Sequence, residues 1–245
     1  MKIAPHVYLV GSGHLGLDLT EAHDCNVYLF AAGDTYVLFD AGAGLVPEQM
    51  IALCEQAGLE PNKPGYLFLS HAHADHSGGA KALSEHFGLS IYASEQTAVR
   101  VEQGDEASLS LDAAKKSGLY PSGYLYKPFA VHHTFEHRDR VLLGEIEIDV
   151  IYTPGHSDDH HAFLVRIDDA RYLVAGDAIF HGGKIVLQNS YDCNVPKSLA
   201  SIHLLSSYQF SALLPGHGSF SLQKGKRHIE TARRYIARGA CPPLL

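Results

Sequence analysis

The stretch Leu69-Ser70-His71-Ala72-His73-Ala74-Asp75-His76-Ser77-Gly78-Gly79 decides how the rest of this chain is read. Three histidines and an aspartate follow directly on an apolar run. Imidazole and carboxylate together are first-row transition-metal ligands, and zinc is the default reading. His71 and His73 are two apart, so on extended backbone both side chains point the same way and can share one ion. Asp75 and His76 fall where the chain turns into a helical segment starting at Ala80, and their side chains can diverge to a second ion. Gly78 and Gly79 let that helix start pack close to the motif.

Such ions need further ligands, and three residues elsewhere share one pattern: a buried strand, a sharp glycine turn, then a ligand-competent side chain. They are His156 in Thr153-Pro154-Gly155-His156-Ser157, Asp177 in Val174-Ala175-Gly176-Asp177, and His217 in Leu213-Leu214-Pro215-Gly216-His217-Gly218. Loops at strand ends carry chemistry because the scaffold holds them rigidly. Asp40 ends another strand, in Asp40-Ala41-Gly42-Ala43-Gly44. It either caps that turn or holds a ligand histidine from behind. The other conspicuous histidines, His132, His133 and His137, lie among charged residues and read as solvated surface.

The whole chain sets the frame. Its 245 residues bury a sizeable core, and 46% apolar with 19% charged residues is ordinary globular composition. A net charge of -8 argues against a nucleic-acid partner and leaves a small molecule as the expected substrate. No run approaches the roughly 20 apolar residues that span a bilayer, so neither a membrane nor a secretory signal is expected and the reading is cytoplasmic. Cys25, Cys54, Cys193 and Cys241 are far apart, which suggests free thiols in a reducing compartment. Nothing in the sequence bears on a homo-oligomer.

Strands are expected at 7–10, 25–31, 35–40, 66–70 and 90–93, with helices at 47–56 and 80–87. The segment 94–137 is helix-rich, with good helix formers over 107–116. Strands resume at 140–143, 146–152, 162–167 and 171–175. A helix at 195–207, a short strand at 212–214 and a basic helix at 223–237 complete the chain. No linker divides it. Two stacked sheets flanked by helices fit this order.

Taken in order, Asp40, His71-x-His73-x-Asp75-His76, His156, Asp177 and His217 resemble the metallo-β-lactamase-fold hydrolase superfamily, over nearly the whole chain. The resemblance implies an α+β fold: a single domain over residues 1–245, built as a four-layer αβ/βα sandwich with two mixed β-sheets flanked by helices. It also implies a dinuclear metal site at one edge of the sheets, with two zinc ions, or iron or manganese in one or both positions. His71, His73 and His156 would bind the first ion, Asp75, His76 and His217 the second, and Asp177 would bridge them. The family pattern favours the supporting role for Asp40.

Two divalent ions, less two ligand aspartates and a hydroxide, leave such a centre positively charged. Zinc lowers the pKa of bound water towards roughly 7. A bridging hydroxide would then attack a small ester, lactone or thioester, making Asp75 and Asp177 catalytic as well as ligating. An alkoxide leaving group benefits from a proton donor. The superfamily's homoserine-lactone lactonases use a tyrosine three residues past the bridging aspartate, where this chain has Phe180. His181 or Tyr191 is the substitute expected here. True β-lactamases of the fold generally lack an equivalent of Asp177, and the chain after His217 is too short for the glutathione-binding domain of glyoxalase II. His160 and His161 stand where many members carry small residues. The alternative is an oxidoreductase resembling the mononuclear iron persulfide dioxygenases.

Overall fold

The computed structural model describes residues 1–245. Its contacts divide the chain into two compact units, Met1–Phe135 and Glu136–Leu245. Each unit carries one mixed β-sheet flanked by helices.

The first unit has seven strands in sequence order: β1 (Lys2–Ala4), β2 (Val7–Gly11), β3 (Val27–Ala32), β4 (Thr35–Phe39), β5 (Gly65–Phe68), β6 (Ser90–Ser94) and β7 (His133–Phe135). β1 to β4 pair antiparallel, and β4 to β7 pair parallel. β3 and β4 close on the two-residue loop Gly33-Asp34, with Ala32 opposite Thr35. The helices are α1 (Pro47–Gln56), α2 (Ala74–Ser77), α3 (Ala80–Phe87), α4 (Glu95–Gln103) and α5 (Leu111–Lys116). The central strands are apolar on both faces. One face sends Leu29, Leu38, Leu67 and Leu69 against Met50 and Cys54 of α1 and Leu83 and Phe87 of α3. The other carries a ladder of rings, Phe39 on Phe68 at 5.7 Å and Phe68 on Phe135 at 6.1 Å.

The second unit's sheet runs β12-β11-β10-β9-β8. These strands are β8 (Arg140–Leu143), β9 (Ile146–Tyr152), β10 (His161–Ile167), β11 (Ala170–Gly176) and β12 (Ala212–Pro215). Only the β11–β12 pair is parallel. Helices α6 (Val195–Leu205) and α7 (Lys226–Ala237) cover one face, burying Ile202, Leu205 and Ile229 against Ile151, Leu164, Leu173 and Leu213.

Local chemistry accounts for the differences from the sequence reading. α5 begins at Leu111 rather than 107 because Ser110 stands at φ 56, outside the right-handed helix, and Asp105 ties Ser108 into a preceding turn. α7 begins at Lys226 because Lys224 takes φ 57. α4 is bounded by Ser94, whose hydroxyl accepts the Thr97 N–H, and by the left-handed Gly104. β7 lies in the segment read as solvated surface. Its His133 and Thr134 are indeed exposed, and only Phe135 turns inward, so it leaves no period-two apolar signal.

Candidate functional site

In the first unit the histidine motif leaves the end of β5, beside the end of β4. There Asp40 stands at φ 63, a left-handed conformation that aspartate tolerates better than most residues. Its carboxylate is buried and accepts three hydrogen bonds: the Ser70 N–H at 2.7 Å, the Ser70 hydroxyl at 2.9 Å and the His76 Nδ1–H at 2.8 Å. The Ser70 hydroxyl spends its one hydrogen on Asp40. At 2.9 Å from His71 Nδ1 it can therefore only accept, so His71 carries its proton on Nδ1. His71 and His76 are thus both set with the lone pair on Nε2, the atom that a cation would take. The sequence left Asp40 between two roles, and its bond to His76 decides for the supporting one. Ser70 extends that support to His71.

The motif is compact. The His71 ring lies 4.6 Å from that of His73 and 4.2 Å from that of His76, and all three histidines are buried. His76 Nε2 is 3.6 Å from Asp75 Oδ2. Gly79 is obligatory: a Cβ there would lie 2.1 Å from the Ala41 carbonyl oxygen, so the Asp40 turn and the motif could not approach. Cys25, Asp40 and His76 also bring donor atoms within 4.8 Å of one another. His76 Nδ1 is spent on Asp40, however, and burial pushes the Cys25 thiol up to about 12, so this group is packing around the support.

The segment after α4 supplies three tyrosines that the sequence did not single out. Tyr124 donates to the Ala43 carbonyl at 2.7 Å, and the Tyr126 hydroxyl bonds Ser77 Oγ at 2.8 Å. Tyr120 lies beside Asp75 and stacks between His23 at 5.4 Å and Tyr124 at 5.2 Å. Burial, and then the Asp75 charge, hold its phenol well above the usual range. A tyrosine-rich run in an unassigned segment was the available signal.

In the second unit, His156 follows β9. Gly155 stands at φ 140, and a Cβ there would lie 2.3 Å from the Ser198 amide nitrogen. The Gly155 carbonyl accepts the Asn194 N–H at 2.7 Å, fastening this turn to the start of α6. Asp177 follows β11, and His217 follows β12. The two strand ends are joined where the Gly216 N–H meets the Gly176 carbonyl at 2.7 Å. His156, Asp177 and His217 are all buried, and the same atom, Asp177 Oδ2, lies 3.5 Å from His156 Nε2 and 3.4 Å from His217 Nε2.

These separations test the donor set. Zinc–nitrogen and zinc–oxygen bonds of about 2.0–2.2 Å at tetrahedral angles place neighbouring ligand atoms about 3.4 Å apart. The pairs His156–Asp177, His217–Asp177 and Asp75–His76, at 3.5, 3.4 and 3.6 Å, match that edge and are longer than a good charged hydrogen bond. The residues of each unit fit a divalent cation held by nitrogen and oxygen donors.

Phe180 is buried, with its ring 6.2 Å from that of His217. His181 is exposed, in a short 3-10 turn, and its ring packs 4.3 Å from that of His228 on α7. Burial pushes the His228 imidazole down to about 4, and its Nδ1 accepts the Gly182 N–H. Tyr191 is 63% exposed. His132 Nδ1 accepts the Ile91 N–H, His133 stacks on Tyr92 and His137 Nδ1 accepts the Tyr152 N–H, so all three serve the edges of their sheets.

The profile of the Metallo-beta-lactamase superfamily matches residues 20–217, and the chain belongs to that superfamily. The probable metallo-hydrolase YqgX of Bacillus subtilis (strain 168) is 28% identical over 196 residues, covering 79% of this chain and 84% of its own length. The acyl-coenzyme A thioesterase MBLAC2 of Gallus gallus is 24% identical over 229 residues, covering 88% and 80%. Among solved structures, a metallo-beta-lactamase of Cronobacter sakazakii superposes with a TM-score of 0.73 at 20% identity, over 98% of this chain and 93% of that one. The chain has the fold of a metal-dependent hydrolase and holds histidine–aspartate clusters suited to a divalent cation. No helix is long and apolar enough to cross a membrane.

Proposed function

We propose that this protein is a dinuclear zinc hydrolase acting on small thioesters, with carboxylic esters and lactones as the neighbouring substrate classes. The observation that carries the metal reading is Asp177 Oδ2, at the same ligand-edge distance from two imidazole nitrogens. Seven donors are assigned: His71, His73 and His156 to one ion, Asp75, His76 and His217 to the other, and Asp177 to both. The superfamily match over residues 20–217 takes in all of them and supports one catalytic domain. Bound zinc supplies Lewis acidity and an activated water at neutral pH.

The remaining work falls to this chain's own side chains. Asp40 and Ser70 keep the protons of His76 and His71 on Nδ1. The thioester preference rests on Phe180: an apolar ring beside His217 cannot donate a proton, and a thiolate departs without one. The thioesterase named among the relatives supports the same class. Where an alkoxide must leave, His181 or Tyr191 is the proposed donor. Four free thiols support a reducing, cytoplasmic setting.

Metal analysis of the purified protein, with a hydrolysis panel of acyl thioesters, lactones, phosphoesters and a β-lactam on the zinc-loaded enzyme, tests this reading. Two zinc per chain with thioester turnover is expected. One iron per chain with oxygen uptake on a persulfide would overturn it.

A further inference from the structure

His160 lies outside the seven donors, four residues after His156, and its side chain is fully buried. It sits between two of the turns that carry ligands. The Asp177 backbone N–H points at His160 Nε2 at 2.9 Å. A backbone N–H can only donate, so Nε2 is the acceptor and the imidazole proton sits on Nδ1. Nδ1 in turn lies 2.8 Å from Thr153 Oγ1, which accepts it. The backbone of the same pair is also joined, the Thr153 N–H donating to the His160 carbonyl at 2.9 Å. Thr153 opens the turn that carries His156, and the His156 and His160 rings meet edge to face at 6.1 Å. One buried ring therefore links the His156 turn to the Asp177 turn by two directional bonds of opposite sense.

We propose that His160 is a positioning residue for the metal centre: its neutral Nδ1–H form holds the Asp177 backbone, and thereby the Asp177 carboxylate, in register with His156. This inference rests on the metal reading above. Asp177 follows Gly176 at φ 48, a residue with wide backbone freedom. Without a fixed partner for its N–H, the Asp177 carboxylate would not hold one position relative to His156 and His217. Partners of this outer kind typically govern metal affinity by a factor of about 10–100.

Three substitutions separate the two bonds. Gln places an amide oxygen near the position of Nε2 and can accept the Asp177 N–H. Asn places its amide near Nδ1 and keeps only the Thr153 side. Phe fills the space with neither. The proteins are labelled with 15N to read the His160 tautomer and the hydrogen exchange of the Asp177 amide. Zinc affinity is measured by competition with a chromophoric chelator, and the melting temperature of each zinc-free protein is recorded. The expected result is an Nδ1–H tautomer in the wild type and an Asp177 amide protected in the wild type and in His160→Gln. That amide exchanges freely in His160→Asn and His160→Phe. Zinc affinity falls about tenfold or more in the last two and less than about threefold in His160→Gln. Unchanged zinc affinity in both His160→Asn and His160→Phe overturns the proposal, as does a loss in all three that simply follows their melting temperatures. A wild-type protein that takes up no zinc refutes the metal reading itself. A zinc-binding wild type with indifferent variants refutes only the role of His160.

Discussion

Asp40→Asn changes one atom in the support behind the motif, and its consequence can be worked out bond by bond. Three donors converge on the Asp40 carboxylate: the Ser70 N–H, the Ser70 O–H and the His76 Nδ1–H. An asparagine offers one oxygen and one NH₂, so whichever way the amide sits, a donor meets a donor. The Ser70 backbone hydrogen cannot move, but the imidazole proton can. The relief is for Oδ1 to keep the Ser70 N–H and for the NH₂ to face His76, whose Nδ1 then accepts. That moves the His76 proton to Nε2, onto the atom assigned to zinc. Asparagine tolerates φ 63 as well as aspartate does, so the fold should survive with a loss of about 2 kcal/mol. Zinc affinity should fall about 10–100-fold. Asp40→Ala is the contrast. It strands three buried donors at about 1–2 kcal/mol each and puts a Cβ residue without a polar side chain at positive φ, for about 5 kcal/mol in all. At roughly 2–4 °C per kcal/mol for a chain of this size, its melting temperature should drop by about 10–20 °C. Thermal melts of the zinc-free proteins, chelator competition and the 15N signature of His76 provide the readouts. An Asp40→Asn protein with wild-type zinc affinity and His76 still protonated on Nδ1 would refute the argument.

Asp177→Ala should lose zinc and turnover together, by more than the roughly 10–100-fold that outer-partner changes cost; full activity with two metals retained would remove Asp177 from the centre. Phe180→Tyr places a phenol next to His217 and should raise lactone turnover while leaving thioester turnover unchanged. If lactone hydrolysis does not move, another donor acts. Burial raises the Asp24 carboxyl to about 6, against the opposing hydrogen bonds from Thr20 and Ala43. Folding therefore favours its neutral form, and its contribution is complete below about pH 4 and lost as pH rises through 6, about 3 kcal/mol across that window. Asp24→Asn should flatten this part of the stability–pH curve in zinc-free protein, and an unchanged slope in urea titrations from pH 4 to 7 would show that Asp24 is not its source.

Much of this was legible in the chain because ligand chemistry is dense and strand periodicity is regular. His71, His73 and His76 cluster in sequence and in space, and His156, Asp177 and His217 each announce themselves beside a glycine turn. The supporting residues were harder to see, because a hydrogen bond between residues far apart in sequence leaves no local pattern. Asp40 was weighed as a support only because it ends a strand, nothing near Ser70 in sequence marks its bonds to Asp40 and His71, and nothing around His160 shows that it is fully buried. Tyr120, Tyr124 and Tyr126 escaped for the same reason: their partners Asp75, Ala43 and Ser77 are dozens of residues away. β7 was missed because an edge strand with one inward side chain carries too little hydrophobic signal.

β6 and β7 pair in parallel, with Tyr92 opposite His133 and Ser94 opposite Phe135. A parallel neighbour cannot be reached by a tight turn, so the chain must travel out and return, and everything from α4 to the tyrosines rides on that excursion. None of the seven proposed metal donors lies on it. The excursion is fastened to the motif from inside: Val101, Leu109, Leu111, Tyr124 and Tyr126 pack in one buried cluster with Ala72 and Ala74. Between those anchor points Leu119 and Leu125 stand exposed. Substitutions at those two exposed positions change the outer surface of the excursion and leave its buried seam with the motif intact.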